Sequence, residues 1–195
     1  MINRLFSVLL AVLVLTGAAG ARGAYELDPQ RSTVQFMSMK NGAVAELHHF
    51  RSLTGSVDGD GLASVVIDLD SVESLVPIRN ERMRELLFDT GSFPSATVTA
   101  VVPSTLLIQQ AGATSTAQLT LQVDLHGVTL PLDATVTVTA LEGGDLQVVL
   151  REPVVVKAAD FKLAQGIEAL RTIAGLKAIA TAVPVNATLV FSRAD

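Results

Sequence analysis

The sequence predicts an all-β fold of antiparallel strands in meander order, with one or two short helices at its ends. Three observations carry this expectation. Long stretches alternate apolar and polar residues with a period of two, most plainly where Ala117, Leu119, Leu121, Val123 and Leu125 alternate with Gln118, Thr120, Gln122, Asp124 and His126. Glycine-bearing turns separate such stretches, at Asn41-Gly42, at residues 58–61 (DGDG), at Gly127 and at Gly143-Gly144. Only residues 78–88 and 160–183 switch to the three- and four-residue spacing of a helix.

The 195 residues suit one domain, and no break in composition suggests two. Residues 1–21 read as a secretory signal peptide: Arg4 gives a positive start, an apolar run follows from Leu5 to Leu15, and small residues lead to a cleavage site after Ala21. That run is shorter than the ~20 residues a spanning helix needs, and no second candidate of that length follows. The expected mature chain, residues 22–195, is therefore exported and soluble, without a transmembrane segment. It has no cysteine, which excludes disulfides, thiolate metal sites and a lipoprotein anchor. The formal charge of −5, which loss of Arg4 makes more negative, argues against nucleic acid as a partner. Scattered basic residues argue likewise against docking on anionic lipid head groups.

In chain order, Asp28-Pro29 marks a turn and residues 33–39 a strand; Asn41-Gly42 turns the chain into a second strand over residues 44–53. Ala63, Val65, Ile67 and Leu69 then share one strand face, with Ser64, Asp68 and Asp70 opposite. Within residues 78–94 (IRNERMRELLFDTGSFP), 78–88 predict an amphipathic helix of about three turns, in which Met83, Leu86, Leu87 and Phe88 form the apolar side. Asp89, Gly91 and Pro94 end it, and strands follow over 95–102, 117–125, 128–138, 146–157 and 185–191, the fourth of these bent by Pro153. Ile167, Leu170 and Ile173 predict a short second helix closed by Gly175, with residues 176–180 adding a further turn.

A sandwich and a closed barrel both suit roughly eight to nine half-buried strands. The inward faces favour the barrel: they are mostly Ala, Val, Leu and Ile, with no tryptophan, and small linings leave room for an elongated ligand. The candidate lining comprises Phe36, Ala63, Val65, Ile67 and Leu69; Val98, Leu119, Leu121 and Val123; and Val136 and Val138. Met83, Leu86, Leu87, Phe88 and Phe93 would close one end, as a lid that opens or as a fixed helical plug. The alternative for the whole set is a solid, interdigitated core.

Four segments in this order resemble the YceI-like, polyisoprenoid-binding family of bacterial periplasmic proteins: YELDPQRSTVQF; IDLDSVES running into IRNERMRELLFDTGSFPSATV; LTLQVDLHGVTLPL; and VKAADFKL. The second is the most specific, with a strand ending in acidic and serine residues, an Arg-x-x-x-Met-Arg helix, then Phe-Asp and Phe-Pro. The resemblance covers nearly all of residues 22–195. It implies a single eight-stranded, lipocalin-like antiparallel barrel holding a long isoprenoid chain such as a polyprenyl lipid or a quinone tail, in the periplasm, with no catalytic activity and no cofactor. His48-His49-Phe50 and the tail GIEALRTIAGLKAIATAVPV depart from the commonest members, so the fold transfers and the identity of the ligand does not.

The residues themselves offer little for catalysis. His48, His49 and His126 are the only histidines, and neighbours on a strand point to opposite faces, so His48 and His49 do not share a metal. Asp68 and Asp70 read as a solvated pair, and no serine lies in a nucleophile elbow. A polar lipid head would look for a hydrogen-bonding partner at the barrel mouth, for which Arg51, Arg79 and Arg82 are candidates. The rival to a lipid carrier is a module acting through the barrel surface, for instance with a membrane redox partner; an enzyme comes third. Oligomeric state is not legible.

Overall fold

The computed structural model describes residues 24–194. The signal-peptide reading falls outside these residues. In order come β1 (Tyr25–Leu27), β2 (Thr33–Lys40), β3 (Val44–Phe50), β4 (Leu53–Val57), β5 (Leu62–Asp68), β6 (Val72–Glu73), α1 (Pro77–Arg82), β7 (Ser95–Val101) and α2 (Ser104–Leu107). Then follow β8 (Thr114–Leu125), β9 (Val128–Ala140), β10 (Leu146–Leu150), β11 (Val154–Lys157), α3 (Ala164–Ile173) and β12 (Ala182–Arg193).

Several neighbouring strands are halves of one stave. β2 pairs with β3 and β1 with β4, so residues 25–57 form two long antiparallel staves, each broken once. Pro153 likewise divides β10 from β11, and both pair with β12. β12 also pairs with β1 and β2, which returns the sheet to its beginning. The result is a closed antiparallel barrel of eight staves in meander order. Closure leaves few open edges.

Two tight turns use consecutive residues in the left-handed region: His126-Gly127 (φ 53° and 71°), as a two-residue hairpin between Leu125 and Val128 requires, and Asn41-Gly42 (φ 52° and 72°), which with Ala43 joins Lys40 to Val44. His126 therefore belongs to a turn and not to the polar face of the preceding strand. A side chain at Gly127 would also meet Phe93 Cε1 at 2.9 Å.

The helical segments differ from expectation in one instructive way. α1 opens with Pro77 at its first turn, and at Met83–Phe88 the coil widens into a π-helical turn that ends at Asp89 (φ 46°). In that geometry residues five apart share a face. Met83 (3% exposed) and Phe88 (6%) are both buried, while Leu86 (37%) turns outward. The three-residue spacing from Met83 had placed Leu86 inside. α3 packs on this turn so closely that a Cβ on Gly166 would lie 2.4 Å from the Leu86 carbonyl oxygen. Residues 176–180 form no helical turn; Ile179 instead bridges to Lys40. Asp70 also leaves the strand, because β5 ends at Asp68, whose carboxylate accepts the Asp70 N–H at 3.0 Å to cap a short 3-10 turn.

Both longer helical segments lie at one end of the barrel, and α2 lies at the other with the start of β1 at Tyr25 and the end of β12 at Arg193.

Candidate functional site

The apolar faces of the staves enclose a cavity of about 270 Å³ whose lining consists only of Ala, Val, Leu, Ile and Phe side chains. It extends from Leu163 and Ile167 at the helical end to Val102 and Leu107 at the α2 end. Along β12 it is lined from Val183 to Phe191, about 26 Å at ~3.3 Å per residue. A water molecule needs two to four polar partners, and these walls present none, so the space favours apolar matter over water.

Most of the candidate lining takes its predicted place. Phe36, Ala63, Val65, Ile67 and Leu69 face the cavity, as do Val98, Leu119, Leu121 and Val123. Val136 and Val138 from β9 and Leu87 and Phe88 from the π-helical turn complete that set. Three candidates lie elsewhere. Met83 is packed into the core beneath the helix rather than on the cavity wall, and Leu86 points away for the reason given above. Phe93 stacks outside, its ring 4.3 Å from that of His126. Sequence reasoning missed β12 and β10 as cavity walls, including Val185, Ala187, Leu189, Val148 and Leu150. Their alternation was the available signal, and Pro153 and Pro184 interrupted it.

At the helical end three aromatic rings close the cavity. Phe36 and Phe50 lie 5.6 Å apart, and Phe88 meets them at 6.4 and 5.9 Å, spacings typical of favourable aromatic packing. Next to them His48, cross-strand partner of Phe36, is 2% exposed and edge-on to it at 5.2 Å. Its Nδ1 has no partner among the described residues, and its Nε2 is 4.0 Å from Glu46. Burial, with Arg79 adding to it, pushes the imidazole down to about 4, so it is neutral near pH 7. Burial opposes ionisation of Glu46 too, but the Lys40 hydrogen bond and the charges of Arg79 and Lys40 outweigh it and hold the carboxyl below its usual range.

The helix is fastened by polar groups that its amphipathic pattern did not announce. Buried Asn80 accepts from the Ser74 N–H at 2.9 Å and the Ser74 hydroxyl at 2.6 Å, and its Nδ2 donates to Glu73 at 3.1 Å. Glu73 also pairs with Arg51 and accepts the Leu75 N–H. Hydrogen bonds from Asn80 and from that N–H hold its carboxyl below the usual range. Arg79 donates to Glu46 at 2.9 Å. Arg51 and Arg79 are thus committed to carboxylates of the protein itself. Among the described residues no group of three or more His, Asp or Glu side chains is placed to hold a metal, and no helix is long and apolar enough to cross a membrane.

A family model described as the YceI-like domain matches residues 25–191. Among solved structures, the chain is similar to a polyisoprenoid-binding domain from Saccharophagus degradans implicated in plant cell wall breakdown. The two share 37% identity over 89% of this chain and 100% of that one, with a TM-score of 0.87. BcnA of Burkholderia cenocepacia shares the fold at 22% identity and a TM-score of 0.62, covering 84% of this chain and 98% of its own. Comparison with curated proteins gives no match.

Proposed function

The chain belongs to the YceI-like domain family, and on that premise we propose that it is an exported, periplasmic carrier that holds a long apolar lipid of the isoprenoid class inside its barrel without covalent chemistry. The observation that carries this reading is the cavity of about 270 Å³ with uniformly apolar walls, running from one end of the barrel to the other. Each methylene moved there from water contributes ~0.8 kcal/mol. Association and ordering of a flexible chain cost several kcal/mol in return, so a long chain is bound and a short one is not. The polyisoprenoid-binding domain of Saccharophagus degradans supports the choice of ligand class. The leader at residues 1–21 supports export.

Organic extraction of the protein purified from its own periplasm, followed by mass spectrometry, tests the reading. A near-stoichiometric isoprenoid lipid is expected. An extract free of lipid, from protein that also fails to take up an added isoprenoid, sinks it in favour of a module that acts through the barrel surface.

A further inference from the structure

We propose that the polar head of the bound lipid sits in a second pocket at the α2 end of the barrel, and that the chain passes into the cavity there, beside Leu107. This rests on the reading that an apolar lipid fills the barrel. The second pocket, of about 330 Å³, shares Leu107 and Leu146 with the apolar cavity, so these two side chains form the partition between them. Its remaining walls include polar residues: Tyr25, Asp58, Ser104, Gln109 and Arg193.

Some of these groups are already engaged. The Tyr25 hydroxyl donates to the Leu107 carbonyl at 2.9 Å, Gln109 bonds the Leu106 carbonyl and the Ser115 hydroxyl, and Asp58 Oδ1 accepts turn amides. Among the described residues the Arg193 guanidinium makes no ion pair and the Ser104 hydroxyl no hydrogen bond, and both line the pocket. One cation and one carboxylate bracket the pocket. An uncharged head bearing hydroxyl or carbonyl oxygens fits that balance, whereas a diphosphate would face Asp58.

The helical end is closed more tightly, and among the described residues the polar atom left without a partner beside its rings is the buried Nδ1 of His48. Phe36, Phe50 and Phe88 pack there ring against ring, and Arg51 and Arg79 are bound to Glu73 and Glu46. Gly166 locks α3 against the π-helical turn. By contrast α2 has only four residues, and its half-buried Leu107 is tied back by the Tyr25 hydroxyl bond. The first helix is a plug, and the short one marks the entrance.

The test uses the lipid-stripped full mature chain and three probes: geranylgeraniol, geranylgeranyl diphosphate and the hydrocarbon phytane. Titration calorimetry should show geranylgeraniol binding about tenfold tighter than phytane, the factor one to two good hydrogen bonds supply, with the diphosphate no tighter than phytane. Amide shifts that distinguish the alcohol from the hydrocarbon should fall on Tyr25, Ser104 and Arg193. Ser104→Ala with Arg193→Ala should bring geranylgeraniol to the phytane level and leave phytane unchanged. Ala111→Trp, which fills the pocket from its exposed rim, should slow phytane loading about tenfold. Head-dependent shifts at Glu46, Arg79 or Arg82, tightest binding by the diphosphate, or unaltered loading of Ala111→Trp would overturn the assignment while leaving the cavity reading intact. Failure of every probe to bind would overturn both.

Discussion

Val136→Phe decides whether the barrel interior is room for a guest or a finished core. Val136 is 3% exposed on β9, flanked across the sheet by Ala117 and Leu150, and its side chain faces the cavity. In a close-packed core the extra ring forces strain costing ~1–3 kcal/mol. At ~2–4 °C per kcal/mol for a domain of this size, that lowers Tm by about 2–12 °C. A void behaves differently. At ~24 cal/mol per Å³ a space of 270 Å³ represents about 6 kcal/mol of unrealised packing, and a phenyl ring recovers part of it. Stripped Val136→Phe should therefore melt within about 2 °C of stripped wild type, or above it. Wild type reloaded with geranylgeraniol at a hundredfold excess over Kd should gain ~2.7 kcal/mol, or about 5–11 °C. The variant should gain less than half of this shift, because its ring occupies the lipid's place. Differential scanning calorimetry on stripped and reloaded proteins reads both quantities. A variant that melts several degrees lower in the stripped form and keeps the full ligand shift refutes the reasoning.

Three further outcomes follow from particular contacts. Gly166→Ala places a methyl 2.4 Å from the Leu86 carbonyl oxygen; separation of the helices should cost about 2 kcal/mol or more in urea unfolding, and an unchanged midpoint would show that α3 does not lock the plug. Leu75, 85% exposed with φ 61°, is held in the left-handed region by its N–H bond to Glu73, so Leu75→Gly should stabilise by about 1 kcal/mol, and a loss of stability would mean that the leucine makes an unseen contact. His48, held near 4 in the fold against 6.5 unfolded, binds fewer protons folded than unfolded between those values. Stability is therefore full above pH 6.5 and falls as pH drops toward 4; His48→Leu should flatten that part of the Tm-versus-pH curve, and a slope equal to wild type would contradict the buried neutral imidazole.

Much of the barrel was legible along the chain because its cause is local. A side-chain period of two with one face apolar fixes which residues of β5, β8 and β9 point inward, and Val65, Ile67, Leu119, Leu121, Val136 and Val138 did so. Leu86 and Phe93 went astray where geometry departs from a regular period. Leu86 lies in a π-helical turn, and Phe93 lies in a connection whose ring is claimed by His126 and Gly127 from a distant hairpin. Asn80 read as part of the polar face, and its burial became evident only with Glu73 and Ser74 around it.

The sequence by itself determined the antiparallel meander, the small apolar lining and the two helical interruptions, since each depends on residues a few positions apart. Closure of the barrel through β12 onto β1 and β2 was left to the tertiary structure, because those partners lie some 150 residues apart and alternation carries no information about which edge meets which. The same is true of the ends. Whether a helix plugs or opens depends on contacts such as Gly166 against Leu86, Arg79 against Glu46 and Tyr25 against Leu107, and these exist only once the eight staves have brought their ends together.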